Sequence, residues 1–168
     1  GGEMPVVMGA GGSGILLHEA IGHAFEADFN RKNTSIFSDQ LNKKVCNEHI
    51  NVVDDGTIPF NRGSVNIDDE GVDGQKTYIV REGVLTSYLH DRISAKHYGI
   101  PSTGNGRRES FRQTPIPRMR ATYMEAGNVT EEEIISTVKK GIYAANFTNG
   151  QVQIGAGDFT FFVKDGYL

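Results

Sequence analysis

The chain has 168 residues, 38% of them hydrophobic and 23% charged, with a net charge of −4 and one cysteine. That length suits one domain with a real core, and the acidic balance argues against a nonspecific nucleic-acid binder. The lone Cys46 excludes an intramolecular disulfide framework and fits a reducing cytoplasm, and neither a membrane-length apolar run nor a signal-peptide pattern is present.

In chain order, "PVVMG" reads as a short buried strand leading into "AGGSG". A helical pattern then runs from Gly12 to about Phe29, with Ser13 as a candidate cap and Ile15, Leu16, Leu17, Ile21, Phe25 and Phe29 on its apolar side. Residues 30 to 47 are polar and interrupted, which predicts a loop. From Ile50 the pattern turns β: "INVVDDGT", "SVNIDDEG", "QKTYIVREG" and "VLTSYLH" are short β-branched and aromatic runs with Asp-Gly and Glu-Gly punctuation. "REG" predicts a hairpin turn. A short helix over 91–98 ends at Gly99 and Pro101, and "PSTGNGRRESFRQTPIP" is a long irregular segment of the kind that often carries function. "RMRATYMEAG" predicts a strand. "TEEEIISTVKKG" predicts a helix with a Thr130–Glu133 capping box, closed by Lys139, Lys140 and Gly141. "GQVQIGAGDFTFFVKDG" predicts two strands joined at "GAGD". Runs of strands with few helices and no βαβ alternation indicate an α+β fold: a largely antiparallel sheet, one long motif-bearing helix and one or two further helices.

Charge is unevenly spread. Arg107, Arg108, Arg112, Arg118 and Arg120 fall in one stretch, with Asp54, Asp55, Asp68, Asp69, Glu70 and Asp73 upstream. The arginines form either a patch for a carboxylate or phosphate, or a solvated loop. "AGGSG" before a helix resembles a phosphate cradle, without the lysine and spacing of a P-loop.

The chemistry concentrates in "LLHEAIGHAFE". His18 and His23 are five residues apart, with Glu19 and Gly22 between them. On a regular helix, positions five apart diverge by about 140°, too far to share an ion, whereas a π-bulge near Ile21 or Gly22 returns His23 to the face of His18. From spacing alone two readings stand: a metal pair on an irregular helix, or two unrelated histidines on an ordinary one. In the first, zinc takes one nitrogen from each histidine, Glu19 suits the general base for a zinc-activated water, and Glu26 is a supporting partner of His23. Cys46, His49, His90 and His97 have no paired spacing and are read as structural or surface residues.

The stretches "GAGGSGILLHEAIGHAFEAD", "VVDDGTIP", "RGSVNIDDEG", "TGNGRRES", "PRMRATYMEAG" and "GIYAANFTNGQVQI" together resemble the TldD/PmbA family, in its TldD branch of metalloproteases. The resemblance runs through nearly the whole chain, and its partner branch typically lacks the histidine motif. It implies a cytoplasmic zinc peptidase in a homo- or hetero-dimer with a family member, acting on unfolded peptides taken as extended strands. Peptide-antibiotic maturation and antitoxin degradation are the associated roles, and older descriptions call relatives modulators of DNA gyrase. By position, His18 and His23 match the zinc ligands and Glu19 the catalytic glutamate. The family's third ligand is a cysteine farther toward the C-terminus, which Cys46 does not match, so it is expected outside this chain. Residues 1–168 are accordingly expected to be one domain, an excerpt of the C-terminal metalloprotease domain of a longer TldD-like protein, and inactive in isolation. The competing functions are a noncatalytic peptide-binding scaffold and a gyrase-associated DNA regulator.

Overall fold

Val52, Val53, Asp54 and Asp55 form strand β2, and all four are buried, because the strand is flanked on both sides in a four-stranded antiparallel sheet. The computed structural model describes residues 2–153 and 158–167. In that sheet the order is β4 (Val84–Leu85), β3 (Lys76–Arg81), β2, β7 (Thr122–Met124). A second sheet joins β1 (Val6–Met8) in parallel to β8 (Ile142–Gln153), which pairs antiparallel with β9 (Asp158–Tyr167). A two-stranded ribbon of β5 (Gly106–Arg107) and β6 (Ile116–Pro117) lies within the irregular segment. With four α-helices among the described residues, this is the α+β, mainly antiparallel fold that the strand pattern predicts.

The core lies between the four-stranded sheet and the motif segment. Phe25 and Ala27 meet Val52, Ile79, Val80, Leu85, Tyr88, Leu89 and Met119, and Cys46 packs against this cluster as a partly buried apolar side chain. The "REG" turn is a two-residue hairpin loop: Val80 pairs with Leu85 and Arg81 with Val84, while Glu82 and Gly83 both have positive φ (49° and 76°). Such loops match the twist of the strands they join. The Gly83 carbonyl also accepts from the Val45 and Cys46 amides, anchoring the upstream loop. Helix α3 (Arg92–Tyr98) starts at Asp91, whose side chain accepts from the Ser94 amide, and ends on left-handed Gly99.

Several elements depart from the sequence expectation. The helix expected over residues 12–29 is broken into α1 (Ser13–Leu16), a π-helical turn (Leu17–Gly22), a 3-10 turn (His23–Phe25) and α2 (Ala27–Arg31). The break falls at extended Glu26, which forms a parallel bridge with Leu89: Leu89 N donates to Phe25 O and Ala27 N to Leu89 O. Ser13 is not the cap. Gly12 occupies that position and the Ser13 hydroxyl donates to Gly9 O. β1 is outer and its Val6 and Met8 are exposed, so it is not a buried strand.

"SVNIDDEG" is a turn, since Asp68 Oδ1 gathers the amides of Glu70 and Val72 and leaves only an isolated Ile67–Asp73 bridge. Helix α4 (Glu131–Ser136) has the expected Thr130–Glu133 capping box but stops before the lysines. There the Ser136 and Thr137 hydroxyls donate to carbonyls three residues back and the chain tightens into the approach to β8. The "GAGD" turn lies outside the described residues except for Asp158.

Candidate metal centre

The π turn determines the geometry of the site. The His23 amide donates to the His18 carbonyl five residues back, so one full turn of backbone separates the two histidines and both rings project from the same side. Their centroids are 4.8 Å apart at an interplanar angle of 79°. One donor atom from each of His18, Glu19 and His23 lies within 4.8 Å of the others. His18 is exposed, and Glu19 and His23 are half-buried, so the group opens to solvent on one side. Among the described residues this is the cluster of histidine, cysteine and carboxylate side chains close enough to share an ion. Cys46, His49, His90 and His97 stand outside it.

The turn is packed from behind. Gly22 is buried, and a Cβ there would collide with the Met119 sulfur while approaching Leu17 O to 3.3 Å. The absence of a side chain lets Met119 lie against the helix at its widest point. Met119 follows Arg118, and these two residues join the π turn to the irregular segment that leads into β7.

His23 is oriented through its inner nitrogen. Nδ1 lies 3.2 Å from Oε1 of fully buried Glu26, and the other nitrogen lies outside that contact. The Glu26 hydrogen bond raises the His23 pKa, burial opposes it, and the charges of Glu26 and Glu19 add to the rise. Glu26 Oε2 in turn lies 3.0 Å from Arg118 Nη1. This pair spans 92 positions, and no local spacing rule could have joined them. The composition singled out Arg118 only as one of five clustered arginines.

That cluster is largely spent on the fold itself. Arg120 donates to Gly104 O and Gly106 O, and Arg108 donates to Asp69 O while its amide meets Asp69 Oδ2. The acidic stretch answers it: Asp68 Oδ2 accepts from the Gly106 amide. Among the described residues, Arg118 alone of the five brings its guanidinium to carboxylates within ion-pair distance, those of Glu26 and Asp28.

The donor set fits a divalent transition ion, since imidazole with an adjacent carboxylate suits zinc and its neighbours, and the Glu26 contact is of the kind that orients ligating histidines. A family model described as the PmbA/TldA metallopeptidase C-terminal domain matches residues 1–168. The chain belongs to the PmbA/TldD metallopeptidase family.

Similar family members include a metalloprotease TldD homolog of Buchnera aphidicola, 52% identical over 99% of this chain and 35% of its own length. A zinc metalloprotease TldD homolog of Saccharolobus solfataricus is 36% identical over 99% of this chain and 37% of its own. The chain thus spans about a third of the length of the curated relatives it matches. Among solved structures, TldE from Thermococcus kodakarensis superposes with a TM-score of 0.83 at 24% identity, covering 98% of this chain and 38% of that one. That likeness shows a shared fold.

Proposed function

We propose that this chain carries the metal site of a zinc-dependent peptidase, with His18 and His23 as ligands and Glu19 as general base. The observation that carries the reading is the π turn, which gathers three donor atoms that a regular helix would splay. Zinc at such a site supplies Lewis acidity toward water and the scissile carbonyl. Glu19, beside the two imidazoles and half-buried, takes the proton of the attacking water and returns it to the leaving amine. His23 is fixed by Glu26, while exposed His18 closes the pair from the solvent side. The name of the Saccharolobus relative supports zinc as the metal.

Two imidazoles fall one short of the three protein ligands usual for catalytic zinc. The third is proposed to come from a segment outside residues 1–168, in keeping with relatives about three times as long. The substrate is an unfolded peptide taken as an extended strand. β1 supports this, because it is the outer strand of its sheet among the described residues and runs directly into the segment that bears the histidines. Pairing with a second family member and a cytoplasmic setting belong to the same proposal. No helix among the described residues is long and apolar enough to cross a membrane. A DNA-regulator reading loses ground because the arginines that prompted it are mostly engaged internally.

The test is Glu19→Gln in the full-length protein. Glutamine preserves shape but accepts no proton, so peptide hydrolysis is expected to vanish while zinc content stays at the wild-type level. Turnover near wild type would remove Glu19 from the mechanism.

A further inference from the structure

We propose that Arg118 is a positioning residue of the metal centre, holding the buried Glu26 carboxylate so that its other oxygen orients His23. The inference rests on the reading of His18 and His23 as zinc ligands and deepens it.

Glu26 sits where the motif helix breaks, in extended conformation (φ −69°, ψ 126°) and with no exposed surface. Its two oxygens are divided. Oε1 faces His23 Nδ1 at 3.2 Å, and Oε2 faces Arg118 Nη1 at 3.0 Å. A carboxylate buried this completely is costly without a cation beside it, and its rotation is set by whatever holds its oxygens. Arg118 is suited to that task because it is itself held at several points. Its amide donates to Asn105 O, Nη1 also donates to Pro117 O at 2.7 Å, Asp28 Oδ1 lies 3.6 Å away, and the guanidinium stands over the Phe29 ring. Asn105 is anchored by donating to Asp54 Oδ2 and to Arg118 O. A continuous polar chain therefore runs from β2, through Asn105 and the Arg118 backbone, to Glu26 and His23. The four-stranded sheet sets the angle of an imidazole on the π turn.

The competing account is that Arg118–Glu26 is a buried ion pair serving stability alone. The two accounts differ in what zinc affinity does when Glu26 is already gone. The experiment measures zinc affinity by chelator competition, and the visible spectrum of the cobalt-substituted form, in the full-length protein. The variants are Arg118→Ala, Arg118→Gln, Arg118→Met, Glu26→Ala and the double Glu26→Ala/Arg118→Ala, with thermal midpoints recorded without metal.

Losing an outer partner of a metal-ligating histidine typically weakens binding about 10–100-fold. Arg118→Ala is expected to fall in that range with an altered cobalt spectrum, and Arg118→Gln, which keeps a donor, to lose less. In the Glu26→Ala background, Arg118→Ala should add less than about twofold, because its route to the metal is already cut. Wild-type affinity in Arg118→Ala, or an undiminished loss in the Glu26→Ala background, would overturn the proposal. Should the alanine variant fail to fold, Arg118→Met, which keeps the side-chain length and removes every donor, carries the test, and an unchanged affinity and spectrum there overturn the proposal equally. His18→Ala and His23→Ala separate the two readings: full zinc binding in both sinks the metal centre itself, whereas their loss beside unaffected Arg118 variants sinks only the positioning role.

Discussion

His90 shows how differently the histidines of one chain are used. It is fully buried among Tyr88 and Tyr98, with neither ring nitrogen hydrogen-bonded among the described residues. Burial pushes its pKa down to about 4, against a smaller upward pull from Asp91. The folded protein therefore holds this ring neutral while the unfolded chain protonates it near the ordinary value of about 6.5. Stability is intact above the unfolded value and is lost as pH falls through the window from about 6.5 to about 4, by on the order of 3 kcal/mol. His90→Phe removes that proton linkage. Its urea midpoint should fall less than that of the wild type between pH 7 and pH 4, and parallel curves would show that His90 does not govern acid stability. His23 differs at the same scale: its Glu26 contact favours the protonated ring, and one face remains open.

At the scale of elements, the π turn is a local distortion held by tertiary packing. Its single extra residue per turn is tolerated because Gly22 admits Met119, and the 3-10 turn that follows is ended by the bridge between Glu26 and Leu89. Gly22→Ala pushes aside the far end of the flexible Met119 side chain and brings the new Cβ to 3.3 Å from Leu17 O, on the π turn itself. The variant should change stability in urea by less than about 1 kcal/mol, since alanine also favours the helical turn over glycine, and bind zinc more weakly, because the crowded turn relaxes and separates the two imidazoles. Wild-type affinity would show that the turn survives without the glycine. The "REG" hairpin offers a plainer contrast. Gly83 combines positive φ with carbonyls of Cys46 and Asn47 at 2.6 and 2.7 Å from an added Cβ, so a side chain there is opposed twice.

Across the whole molecule, Asp54 joins the sheet to the loops that support the site. Buried in β2, it accepts from the Arg120 amide, the Thr122 hydroxyl and Asn105 Nδ2. Asp54→Ala strands three donors at once, each costing about 1–3 kcal/mol if left unsatisfied. A loss of about 3 kcal/mol or more is expected in equilibrium denaturation, and a loss below about 1 kcal/mol would remove Asp54 from this role. The third ligand proposed for zinc also belongs to this scale. Residues 1–168 alone should bind zinc weakly, and the full-length protein should bind it tightly and stoichiometrically, because a pre-positioned ligand then replaces solvent. Equal, tight binding by both in matched titrations would place the third ligand within this chain.

The sequence by itself determined what local chemistry controls. The α3 and α4 starts at Asp91 and Thr130, the two-residue turn at Glu82–Gly83 and the β-branched and aromatic run of β3 all depend on residues a few positions apart. The need for a π turn was equally legible, because five-residue spacing and a helical period of about 3.6 admit few ways to bring two side chains together. Tertiary structure decided what depends on distant partners. The break at Glu26 exists because Leu89 supplies a backbone to bridge to, and the Asp68 turn is tied down through the Gly106 amide, 38 positions away. The acidic and basic stretches meet each other where the sequence left them as patches. Arg118 reaches Glu26 across 92 positions, and its neighbour Met119 packs against Gly22 of the π turn. Hydrogen bonds and packing at such separations are set by how elements stack, and periodicity within a window carries no record of that.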